Sequence, residues 1–569
     1  MSFPRRRESS KKAIKKNLCQ IQGETMNILR KTETHIFLCL TVLYLTLVVW
    51  LDNTNITTTN GLYKAIDVRG WETLTKFVVD SGGLLYAVSM AVLCKILPDS
   101  WVSFYGDMVP TFVTYRKLAF INTVFGAGVS TVLYHLAFRV TQNKAWSLGV
   151  TCVHAFSAFV LINSIISEDI MPAYFFYVLG FLCAFKGLFD GEKRLWFTFA
   201  TLSILAVLFL HWSLFPVATL TYLIIGIYVC REDPNFIRLL VEQVVLFLSV
   251  IFLFCFAANA IGGHLFKSPL KFMQILLPNK ASGSWVGFSW LKFEPMLTGI
   301  GNYLFGGLNT DKVSFLSHTE LLRVCATWVF FLFISFNLWK KRIRLLANPA
   351  TKLLLVFATC SFVFAQLVNL YSQPQDPQFQ LQPMILIPLG LICLYGQTVK
   401  KYMNALFAFC CLLAFDNIQR LETFKGNDSK MVTGYKEFRQ LFPKETTKLV
   451  HVAYEEFSAW LMAFEYPSDL DAYMKAVTML NRPAHHYPHM SIKEQGQLIM
   501  DEIDLALKQG KRIIATGPWL DPNSMMCLTI IHLTPAQITE LRHMLLVKYK
   551  LKQRYETKWG IFAEIVPND

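Results

Sequence analysis

From residue 35 to residue 416 the sequence is a series of apolar blocks, each close to the length of one membrane crossing, parted by short polar joints. A helix needs about 17–25 largely apolar residues to cross a bilayer. The blocks fall at 35–52, 118–138, 146–166, 171–189, 195–211, 214–230, 239–261, 321–339, 351–370, 383–399 and 402–416. They predict an all-α polytopic membrane protein with about eleven transmembrane helices. Composition agrees, because only 16% of residues are charged, against about 25% in soluble chains. The segment 82–98 is apolar too, but it is short, carries Lys95 and ends at Pro98. It is expected to lie in the interface as part of a long loop.

The formal charge of +15 does not mark a nucleic-acid binder, since the Lys and Arg residues gather in the N-terminal tail and at block ends. Short cytoplasmic joints should hold the positive residues. With the tail inside, the cytoplasmic joints carry Arg139 and Lys144; Lys186, Lys193 and Arg194; Arg231 and Arg238; Lys340, Lys341, Arg342 and Arg344; and Lys400 and Lys401. The opposite joints, 167–170, 212–213 and 371–382, hold no Lys or Arg. This alternation also argues against a span at 82–98, which would invert everything after it.

Residues 1–34 read as a basic cytoplasmic tail, with Met26 placed as an alternative start before the first span. The loops 53–117 and 262–320 fall outside, as does the polar region 417–569. That region reads as a soluble α/β domain: a helix over 492–509 stopped by Gly510, a strand at RIIATG, a helix from Pro535 and a closing strand at IFAEIVP. Among 13 cysteines no CxxC pair appears, so neither a zinc site nor a disulfide framework is indicated. His485, His486 and His489 in RPAHHYPH lack a metal-ligand spacing and sit between prolines, as in a surface loop. GKRIIATGPW contains no phosphate-cradling glycine motif. The sequons at Asn55 and Asn427 would face outward.

On this topology several polar residues collect at the outer membrane edge: Asp80 in VVDSGGLL, Glu168 and Asp169 in ISEDIMPAY, His211 in FLHWSLFP, and Asp376 and Gln378 in YSQPQDPQFQLQP. Any one of them is explained by a short joint that has to stay wet, and a His at a helix end is commonly an interfacial cap. Four joints contributing to one surface point instead to a site, because carboxylates beside hydrocarbon are costly.

The order of these features resembles that of the GT-C glycosyltransferases, over roughly residues 35–400. DSGGLL resembles the acidic motif of that family's first outer loop. The stretch from RKLAFINTVFG to ISEDIMPAYFFYVLG resembles its two helices leading to a second acidic element, HWSLFPVATL the next helix turn, and QDPQFQLQP a late substrate-contacting loop. Where many relatives read D-S-G-E-L followed by a His-Pro-Pro-Gly-Tyr-Pro run, this chain has Gly83 and then ILPDSWVSFYGDMVP. The resemblance implies a polyprenyl-phosphate-linked sugar as donor, a glycan, lipid or protein as acceptor, and an inverting displacement. It makes Asp80 the general base and gives Glu168 and Asp169 the task of orienting the acceptor or holding a divalent cation. His211, Asp376 and Gln378 become substrate contacts. Lys267, Lys271, Lys280 and Lys292, set among aromatic residues, suit a lipid headgroup or plain interfacial anchoring equally well. Membrane lipids are the expected surroundings, in a bacterial inner membrane. A transporter or lipid flippase is the alternative, and Gly83 leaves room for a non-catalytic assembly subunit.

Overall fold

The computed structural model describes residues 31–52, 60–73, 86–102, 110–211, 214–230, 235–262, 290–306, 317–371, 377–394, 399–451, 490–516 and 535–568, with short pieces between 461 and 479. The first helix, α1, is Lys31–Leu51. The loop expected over 53–117 contains α2 (Asn60–Thr73), α3 (Tyr86–Ile96) and the start of α4 (Pro110–Thr141). At eleven residues α3 is too short to cross a bilayer, as expected for 82–98. Then come α5 (Lys144–Ala155), α6 (Ala158–Ile165), α7 (Ile170–Phe189), α8 (Lys193–Leu210), α9 (Phe215–Cys230) and α10 (Phe236–Gly262).

The span expected as one helix over 146–166 is two, α5 and α6, meeting at 68°. Side chains satisfy the backbone that the bend exposes. Asn417 Nδ2 donates to the carbonyls of Phe156 and Leu304, each at 2.7 Å. Ser157 Oγ donates to the His154 carbonyl at 2.8 Å. Gly126 lets α4 approach α6 closely here, since a Cβ on it would lie 2.6 Å from Ser164 Cβ.

The second half of the bundle holds α11 (Phe293–Phe305), α12 (His318–Lys340), α13 (Arg342–Ala347), α14 (Pro349–Tyr371), α15 (Pro377–Met384), α16 (Leu386–Leu394) and α17 (Val399–Leu421). Each expected span has a helix, yet among the described residues only six helices are both long and apolar enough to cross alone. The bent pair α5–α6 makes a seventh. The span expected at 383–399 is divided between α15, which contains Pro383, and α16. Cross-links tie alternate joints to one end of the bundle: Arg139 grips Asp190, and Arg194 Nε lies 2.9 Å from Glu242.

Past α17 the described residues form α18 (Asn427–Leu441), α19 (Ile492–Lys508), α20 (Pro535–Lys548) and five strands: β1 (Thr447–His451), β2 (Val477–Met479), β3 (Arg512–Thr516), β4 (Tyr549–Thr557) and β5 (Gly560–Pro567). The sheet order is β2-β1-β3-β5-β4, with β1 parallel to β2 and β3, and β5 antiparallel to β3 and β4. A capping box between Ser491 and Glu494 starts α19, and Gly510, at φ 74°, turns the chain after it. The Trp559 indole in the β4–β5 turn donates to Met431 O at 2.8 Å.

One apolar core runs from the membrane helices into this region, taking in Phe112, Phe438, Phe442 and Phe562. Phe464 packs on Phe112 with ring centroids 4.8 Å apart. Beside that contact Arg116 of α4 bridges two buried carboxylates, Asp52 at the end of α1 and Asp428 in α18. Ser429 donates to Asp52 as well. The sheet region is thereby fixed to α1 and α4.

Candidate functional site

The joint between α6 and α7 carries Glu168 and Asp169, and both are buried, at 4% and 3% exposure. A polar side chain from α4 shapes the joint. Asn122, itself fully buried, donates through Nδ2 to the carbonyls of Ile166 at 2.7 Å and Glu168 at 2.6 Å. Asp169 then occupies the N-cap position of α7 without a side-chain cap bond, so its carboxylate is directed to other partners.

Those partners are cations or potential cations from two separate elements. Lys64 of α2 places Nζ 2.9 Å from Asp169 Oδ2, and His211, which ends α8, places Nε2 3.4 Å from Oδ1. Burial alone would push the Asp169 carboxyl up; the Lys64 and His211 charges outweigh it and hold the group below its ordinary value. Lys64 also stands 5.8 Å from the centroid of the Tyr86 ring, which brings α3 to the same place.

The fourth contributor is α15. Phe379 meets the His211 ring edge to face at 6.3 Å, and Gln382 Nε2 donates to Leu214 O at 3.4 Å. Amides hold α15 against α14: Gln366 donates to Gln380 at 2.8 Å, and Asn369 to Phe379 O at 3.0 Å. Helices α2 and α3, the acidic joint, the His211 turn and α15 do therefore converge.

Asp80 and Asp376 lie outside the described residues, as do His485, His486, His489, Asn55, Lys267, Lys271 and Lys280. Gln378 has its backbone in α15, but its side chain lies outside the described set, and the same holds for Asn427 in α18. Glu168 and Asp169, expected to orient the acceptor or hold a divalent cation, both belong to the described residues. Among those residues no group of three His, Cys, Asp or Glu side chains could hold a metal, and Asp169 is already engaged by an ammonium. Sequence reasoning missed Lys64 and Asn122. Lys64 had a signal, because the outer joints hold no Lys or Arg of their own and a buried carboxylate there needs a counter-ion from elsewhere. Asn122 had none, being one amide inside an apolar helix.

No protein-family model and no curated protein matches the sequence. Among solved structures the chain is similar to ArnT from Cupriavidus metallidurans. Against the apo crystal structure the TM-score is 0.55 at 10% identity, covering 94% of this chain and 98% of that one. Against ArnT bound to undecaprenyl phosphate it is 0.54 at 9% identity, covering 94% and 97%. The archaeal oligosaccharyltransferase AglB from Archaeoglobus fulgidus, in complex with an inhibitory peptide and a dolichol-phosphate, aligns over 93% of this chain and 74% of its own at 11% identity, with a TM-score of 0.48. The chain is an integral membrane protein with the fold of ArnT.

Proposed function

We propose that this protein is a membrane glycosyltransferase that moves a sugar from a polyprenyl-phosphate-linked donor to an extracytoplasmic glycan, lipid or protein acceptor, with inversion at the anomeric carbon. The observation that carries the reading is the buried Lys64–Asp169–His211 cluster, built where four joints meet in the fold of ArnT, one of whose structures holds undecaprenyl phosphate. The cluster sits at helix ends, with Asp169 opening α7 and His211 closing α8. A carrier would place its ionisable residues near the bilayer midplane.

In such a transfer the acceptor oxygen attacks the anomeric carbon, the bond from that carbon to the phosphate oxygen breaks, and the acceptor's proton passes to a base. The polyprenyl phosphate departs with one more negative charge than it had in the donor. A cation fixed near that oxygen lowers the barrier because it is already oriented when the charge develops. Lys64 suits this role, with Asp169 holding its ammonium in place. Asp169 is itself a poor proton acceptor, since its pKa is held down; the resemblance to the GT-C enzymes gives the role of base to Asp80. His211 steadies Asp169 from the other side and contributes a second donor.

The test is transfer of labelled sugar from polyprenyl-phosphate donors in proteoliposomes. Transfer by the wild type that is lost in Asp80→Asn supports the reading and its base. A folded wild-type protein that transfers from no such donor contradicts it.

A further inference from the structure

On the lipid-facing flank of the bundle, α1 and α4 leave a groove that none of the site residues touches. Val42, Leu45, Thr46, Val49, Trp50 and Phe120 line it, around a volume of about 380 Å³. Thr46 is the polar member, and its hydroxyl is turned onto the Val42 carbonyl at 2.8 Å. The Thr46 proton is thus taken within its own helix, and what the groove mainly offers an occupant is apolar surface. Because α1 is one of the helices able to cross a membrane, hydrocarbon is what meets this surface.

At its Trp50 end the groove has a cation. Lys425 Nζ lies 4.8 Å from the centroid of the Trp50 ring. Its backbone is fixed there, because Gly426 N donates to Leu51 O at 2.8 Å and Asp428 N to Asp52 O at 3.0 Å. Arg116 takes the carboxylates of Asp52 and Asp428, and among the described residues Lys425 has no ion-pair partner of its own. An unneutralised ammonium beside a Trp at the end of a dry groove matches the two parts of a phospholipid, a chain and an anionic headgroup.

We propose that this groove binds an anionic phospholipid, with one acyl chain between α1 and α4 and the phosphate at Lys425. The bound lipid bridges α1 to the turn that leads into α18, next to the Asp52–Arg116–Asp428 junction.

The test uses the full-length protein in nanodiscs containing brominated phosphatidylglycerol or brominated phosphatidylcholine at equal mole fraction. Trp50 fluorescence is isolated as the difference between the wild type and Trp50→Phe. One lysine at a membrane surface favours an anionic lipid roughly fivefold, so bromine on phosphatidylglycerol should show about a fivefold preference in quenching Trp50. The preference should vanish in Lys425→Glu and persist in Lys430→Glu, a change at another exposed lysine nearby. Val49→Phe, which fills the groove, should reduce quenching by both lipids. Equal quenching by the two lipids, or a preference that survives Lys425→Glu, overturns the proposal. So does displacement of the quencher by undecaprenyl phosphate at lower mole fraction than by unbrominated phosphatidylglycerol, which would make the groove a polyprenyl track.

Discussion

The Lys64 ammonium lies 2.9 Å from the Asp169 carboxylate, at a place where the two side chains are only 14% and 5% exposed. A buried pair adds little net stability relative to an apolar pair, but removing one partner leaves an uncompensated charge and costs about 3–5 kcal/mol. Lys64→Met should therefore lower the thermal unfolding midpoint clearly, and Lys64→Met with Asp169→Leu should recover most of the loss. Unfolding of the purified proteins in detergent checks the order of the three.

The depressed pKa of Asp169 sets the direction of a pH effect. A carboxyl whose folded pKa lies below its unfolded value stabilises the fold above the unfolded pKa, and that contribution is lost as pH falls through the folded pKa. In the wild type the acid limb due to Asp169 should thus lie below the usual carboxylate range. Lys64→Gln removes the larger of the two opposing charges and leaves the burial, so the limb should move to higher pH. A pH profile of sugar transfer for the two proteins measures this, and a limb that stays in place would separate Asp169 from the activity.

Asn122 acts on the same joint through the backbone, holding the carbonyls of Ile166 and Glu168 with one amide. A buried carbonyl left without a donor costs about 1–3 kcal/mol. Asn122→Ala leaves two, and loosens the position of Asp169 without touching a charge. Turnover should fall more than tenfold with KM within about twofold, since misplacement by an ångström costs on the order of 100-fold in rate. Steady-state kinetics in proteoliposomes distinguish this from a stability defect, which would reduce the amount of active enzyme and leave turnover per folded molecule unchanged.

Arg116 joins the membrane helices to the sheet region by reaching Asp52 and Asp428 at once. A guanidinium forks to two carboxylates, whereas an ammonium is a point charge. Arg116→Lys is expected to destabilise nearly as much as Arg116→Ala, by about 3–5 kcal/mol, and to make residues 417–569 more sensitive to limited proteolysis. Unchanged protection in Arg116→Lys would show that the apolar contact of Phe112 with Phe464 suffices.

The membrane helices were legible in the sequence because hydrocarbon forces long apolar blocks. The acidic joint and His211 were legible for the same reason: a charge or an imidazole stands out at the edge of such a block. Less visible was what depends on tertiary contact. The break between α5 and α6 has no proline at its bend; its cost is offset by Asn417, some 260 residues away, which no local pattern connects to Phe156. Lys64 stood in a stretch without periodicity, and its meaning came only when α2 folded back over the acidic joint. Nothing in the sequence marks Arg116, whose side chain is buried at the seam with α18.

The most direct measurement of the central claim is the rate of sugar transfer from a polyprenyl-phosphate donor by folded Lys64→Gln relative to the wild type, under saturating donor. If Lys64 meets the charge that develops on the departing phosphate, the rate should fall by about 100-fold or more, as it does when a preorganised donor to a developing anion is removed. A rate within a factor of about two of the wild type, well below the loss expected for such a donor, would contradict the account and reduce the Lys64–Asp169 pair to a structural tie.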